Sequence, residues 1–69
     1  MKIETTVNKT VYTVDIDPSR SVRSNAAYVW KKLAGHSQGF RVQLFIALMA
    51  EAGFTEVPKS DRQAIGIPY

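Results

Sequence analysis

Polar and apolar residues alternate from position 2 to position 16, and one strand register makes sense of the whole stretch. A turn at Asn8-Lys9 sets Val7 opposite Thr10, Thr5 opposite Tyr12 and Ile3 opposite Val14, so these side chains share one face. The same register places Glu4 opposite Thr13 and matches Lys2 with the opposite charge of Asp15 on the other face. Asn tolerates the left-handed conformation of the first turn position, whereas Lys9 is a poorer choice than glycine for the second. The pattern predicts an N-terminal β-hairpin over residues 2–16.

The period lengthens to that of a helix beyond Pro18. Val22, Ala26, Val29, Trp30 and Leu33 fall on one stripe, with Asp17-Pro18 as a start signal and Ser24 as a second candidate cap. Trp30 lies on this stripe and reads as core. The outer side carries Arg20, Ser24, Lys31 and Lys32, with Arg23 near the boundary. Gly35-His36 ends this helix, and Ser37 caps a second one running from about Gln38 to Ala52 and stopping at Gly53.

The second helix is apolar on two sides. Val42, Phe45, Ile46 and Met49 make one stripe and Phe40, Leu44, Ala47 and Leu48 another, leaving a narrow polar arc around Gln43, Ala50 and Glu51. Such a helix needs two partners. The hairpin residues Ile3, Val7, Tyr12, Val14 and Ile16 supply one, and either the first helix covers part of the other side or a second copy of the chain does so. Burying a leucine contributes roughly 1.5–3 kcal/mol, so an uncovered stripe would forfeit much of a small domain's stability. Phe40, Leu44 and Leu48 are therefore predicted to mediate self-association, as a symmetric homodimer. After Gly53, Phe54-Thr55-Glu56-Val57 fits a short third strand, and Ser60-Asp61-Arg62-Gln63 matches a capping box opening a helical turn before Gly66. Ile67-Pro68-Tyr69 reads as an extended tail. The expectation is an α+β fold in one domain, residues 1–69. It comprises a hairpin (2–16) packed on a helical hairpin (18–53), then a short strand, a turn and a tail (54–69).

Charge changes this picture by its placement. Nine basic residues against six acidic ones leave a net charge of +3, but every acid lies toward an end of the chain. From Pro18 to Ala50 there is no Asp or Glu, while Arg20, Arg23, Lys31, Lys32 and Arg41 fall within that stretch. An unbroken positive field carried on packed helices predicts an anionic partner, with these five side chains as its contacts. Ser21, Ser24, Asn25 and Gln38 add neutral donors of the kind phosphate-binding surfaces use. Basic residues on an outer helix face are also ordinary solubilising groups, and Lys31-Lys32 complement a helix C-terminus.

Candidate chemistry is sparse. The 69 residues include no cysteine and one histidine, His36, which sits in a predicted turn. Neither a nucleophilic triad nor a metal-ligand spacing, Gly-rich phosphate loop or dinucleotide fingerprint is present. The reading is of a non-enzyme with no cofactor, no metal and no small-molecule substrate. The longest apolar run, Leu44 to Ala50, is too short for the roughly 20 residues of a membrane span, and Met1-Lys2-Ile3-Glu4 lacks a signal-peptide core. A cytoplasmic location follows as the expectation, in a host cytoplasm if the chain is phage-encoded.

Strand Tyr12–Ile16, a helix after Pro18, a break at Gly35-His36-Ser37 and an aliphatic second helix resemble, over residues 11–52, the ribbon-helix-helix DNA-binding proteins. Three features depart from that family. An N-terminal strand occupies the edge the family uses for dimer pairing, residues 18–35 are slightly long, and Asp15 points outward where phosphates would lie. Membership does not follow, and helices are expected to carry any DNA contact. Two functions remain. The first is an accessory or regulatory protein binding nucleic acid through the positive helical face. The second, by analogy of size and composition with small phage and mobile-element proteins, is an inhibitor of the anti-restriction or anti-CRISPR type that binds an acidic surface and occludes a host complex.

Overall fold

The register of the hairpin is the one the alternation demands. In the computed structural model, which describes residues 1–69, strands β1 (Lys2–Val7) and β2 (Thr10–Asp15) pair antiparallel. Ile3 lies opposite Val14, Thr5 opposite Tyr12 and Val7 opposite Thr10. Asn8 and Lys9 have φ of 52° and 66°, the doubly left-handed turn whose twist suits the flanking strands. Lys2 and Asp15 are register partners, but Asp15 forms its ion pair with the amino group of Met1, at 3.1 Å, instead of with Lys2.

Helix α1 (Val22–Lys32) begins later than Asp17-Pro18 implies, and its cap is Ser21 instead of Ser24. The Ser21 hydroxyl accepts the Ser24 N–H at 3.1 Å, satisfying one of the orphan donors of the first turn. The preceding residues are diverted into a tight turn. Ser19 donates to Asp17 Oδ1 through its N–H at 3.0 Å and its hydroxyl at 2.6 Å, and the Arg20 N–H donates to the Asp17 carbonyl at 3.0 Å. Asn25, buried on α1, donates to that same Asp17 carbonyl at 2.9 Å and fastens the turn to the helix.

Helix α2 (Gln38–Glu51) closes at Gly53, whose φ of 91° is open to glycine at little cost. Gly53 N–H donates to the Ala50 carbonyl and Phe54 N–H to that of Met49, at 3.0 and 2.9 Å. This is the Schellman arrangement, and it turns the partly buried Phe54 back against the core. The segment 54–57 does not become a third strand, since the sheet has two strands only. It buries Val57 and leads into helix α3 (Lys59–Ile65), which starts after Pro58 without a side-chain cap, so Ser60 is inside it. Gly66, with φ of 92°, ends α3 as its position implied. Gly66 and Ile67 both donate to the Arg62 carbonyl, and the expected tail instead folds inward to bury Ile67.

The core forms around α2. Ile3, Val14 and Ile16 of the hairpin, Val29, Trp30 and Leu33 of α1, and Val57 and Ile67 of the C-terminal segment converge on Leu44, Phe45, Leu48 and Met49. Leu44 and Leu48 are 0% exposed and Phe40 is partly buried. Leu44 and Leu48 of the stripe assigned to self-association are therefore interior to the chain, on a helix along which β1 packs, while Phe40 keeps part of its surface. Tyr12, His36 and Phe40 close its edge as three mutually edge-on rings with centroids 5.5–5.9 Å apart. No helix is long and apolar enough to cross a membrane.

Lys9 holds a left-handed conformation that favours glycine. Lys9→Gly is expected to raise the stability of the chain by about 0.5–1 kcal/mol, read from the midpoint of urea unfolding with an unchanged slope. A lowered midpoint would contradict the turn assignment.

Candidate binding groove

Arg23, Ala27, Trp30, Lys31 and Ala34 recur at i, i+4, i+7, i+8 and i+11, so they lie along one face of α1 and the turn after it. Opposite that face runs α3, tied to α1 by an ion pair of 2.7 Å from Arg23 Nε to Asp61 Oδ1. Between them lies an open groove of about 530 Å³. Its floor is apolar: Ala27, Trp30 and Ala34 from the α1 side, Ala64 and Ile65 from α3. Arg23 and Lys31 stand on its rim, and Arg41 enters from the first turns of α2.

Arg41 has a structural task as well as a charge. Its Nε and Nη2 donate to the Trp30 carbonyl at 3.2 and 2.7 Å, and its guanidinium lies 3.8 Å from the centroid of the Trp30 ring. The Trp30 carbonyl belongs to the last turn of α1, where it also accepts the Leu33 N–H at 3.2 Å and where the helix dipole favours a cation. The guanidinium plane can satisfy that acceptor and stack on the indole together, which an ammonium cannot do. Both groove arginines are thus held in place with other N–H donors left over. The Arg23 side chain is 58% exposed, against 16% for its partner Asp61.

Three of the five predicted contacts come together here, and two do not. Arg20 lines a separate depression of about 250 Å³ with Asp15, Asp17 and Tyr28. There the hydroxyl and then the N–H of Ser19 hold the Asp17 carboxyl below its ordinary range, with Arg20 adding to the effect. The turn's contribution to stability is accordingly present above the usual Asp range and fades as pH falls through the lowered value. Lys32 projects from another side of α1, its ammonium 5.3 Å from the Tyr28 ring centroid. The segment free of acids in sequence is not free of them in space, because Asp61 folds back onto Arg23 and Asp17 neighbours Arg20.

The α3 wall was not foreseen. Asp61, Ala64 and Ile65 lie in a region expected to form one helical turn and a tail, and only their i, i+3, i+4 spacing marks them as one helix face. Arg62, also on α3, plays a part like that of Arg41: it donates to the Val57 carbonyl at 3.1 Å and lies 4.6 Å from the Tyr69 ring centroid.

Arg41→Lys keeps the charge and loses the planar fork. It is expected to lower stability by about 1–2 kcal/mol, measured by urea unfolding, and to shift the emission of Trp30, the only tryptophan. Unchanged stability and emission would show that the contact to Trp30 is incidental.

Comparison of the chain with protein-family models, with curated proteins and with solved structures finds no match. No family relationship therefore assigns a role to the groove.

Proposed function

We propose that this chain is a small non-enzymatic binding module that engages an anionic macromolecular surface through the groove between α1 and α3 and acts by occupying it. One observation carries the reading. Arg23, Lys31 and Arg41 converge over an apolar floor, and the one carboxylate tied to them, Asp61, is already paired. An unbalanced cluster of cations attracts anions, and Arg23 and Arg41, already oriented, lose little conformational freedom on binding them.

The phosphates of nucleic acid and the carboxylates of a protein both meet that charge requirement. The apolar floor favours the protein surface, since phosphates gain nothing from lying against alanine and isoleucine side chains. On this reading the mechanism is steric: a partner's acidic surface is covered and its other ligands are excluded.

Immobilised heparin is a suitable polyanion probe at about 50 mM salt, where screening is weak. The wild type is expected to be retained, and Lys31→Glu to elute well before Lys9→Glu, although each reversal takes the net charge from +3 to +1. Lys9 lies in the hairpin turn, away from the groove lining. Equal displacement of the two variants would mean that heparin reads only net charge, and the assignment to the groove would fail.

A further inference from the structure

We infer that the groove seats an acidic amphipathic helix of a partner protein, with its apolar side chains on the alanine floor and its carboxylates on Arg23, Lys31 and Arg41. This rests on the proposed anionic-partner function and specifies the partner.

The floor shapes the occupant first. Ala27, Ala34 and Ala64 contribute only methyl groups, so α1 and α3 leave a trough between them that larger side chains would fill. Its volume, about 530 Å³, is that of a ligand cleft, yet it is open along its length instead of enclosed. From Arg23 to Ala34 the α1 face extends about 16 Å, close to three helical turns of an occupant lying along it. A helix laid in a groove places apolar anchors at i, i+3, i+4 and i+7, which is the spacing such a trough accepts.

The rim then sets the charge. Three cations face one carboxylate, and Arg23 and Arg41 are already oriented by Asp61 and by the Trp30 carbonyl. Their remaining N–H donors match carboxylates in a fixed fork. A nucleic acid fits the rim and not the floor. Base stacking needs an open aromatic face, but Trp30 is 8% exposed and its ring is covered by Arg41.

The test is selection of a displayed library of random peptides of about 16 residues, long enough for four helical turns, on the folded full chain. Selected peptides are expected to be acidic with apolar residues at i and i+3 or i+4. Their affinity, read by fluorescence anisotropy, should fall by about tenfold or more in Lys31→Glu and in Ala27→Trp, which fills the floor without changing charge. It should change by less than about twofold in Lys9→Glu. Ala27 and Lys31 are exposed, so both variants are expected to fold, with circular dichroism as the check.

Peptides without acidic bias, or affinity indifferent to Ala27→Trp, would overturn the inference. So would self-association of the chain that is lost in Ala27→Trp, because the occupant would then be a second copy. Binding of duplex DNA or single-stranded RNA that depends on Lys31 and ignores Ala27→Trp, with no peptide enriched, would overturn the helix and leave the anionic-partner function standing. No peptide, nucleic acid or heparin binding would overturn both.

Discussion

A run of stacked side chains crosses this molecule from one arginine to another. Arg41 lies on Trp30, Trp30 meets Phe45 edge-on at 5.7 Å and 89°, Phe45 meets Tyr69 at 6.4 Å, and Arg62 lies against Tyr69. Phe45 is 0% exposed and stands at the middle. At each of the two ring contacts the positive edge of one ring meets the negative face of the other, and a guanidinium covers the ring at either end. Because the five side chains come from α1, α2, α3 and the C-terminal segment, displacing one disturbs the seating of all the helices.

The same two arginines also end on backbone carbonyls, of Trp30 and of Val57. In so small a domain, a guanidinium that binds a backbone carbonyl while covering an aromatic face joins backbone and core through one side chain. Charge that looks like surface in a linear reading is thus partly internal framework. Of the groove's three cations, Arg41 belongs to that framework, Arg23 is oriented by Asp61, and Lys31 is an exposed side chain of α1.

The hairpin was legible to the residue because a strand's period of two leaves one register that buries Ile3 and Val14 together. The two long helices were legible from their stripes, and Gly53 and Gly66 from the left-handed closures they permit. Less legible was anything decided by contacts distant in sequence. Leu44 and Leu48 carry no mark that says whether a hairpin or a second copy covers them, and β1 decides it in space. The ion pair of Arg23 with Asp61, separated by 38 residues, has no local signature at all. The start of α1 was misplaced for a local reason: Asp17 and Pro18 fit a helix start and a tight turn equally, and the Ser19 hydrogen bonds select the turn.

Helix α3 contains no buried residue, although Val57 before it and Ile67 after it are both anchored in the core. Between those anchors it is held by the ion pair of Arg23 with Asp61, by Arg62 on the Val57 carbonyl and the Tyr69 ring, and by the partly buried Ile65 against the core. Asp61 therefore stands where, on the proposed binding mode, an incoming carboxylate would stand, and the two would share or compete for the Arg23 guanidinium.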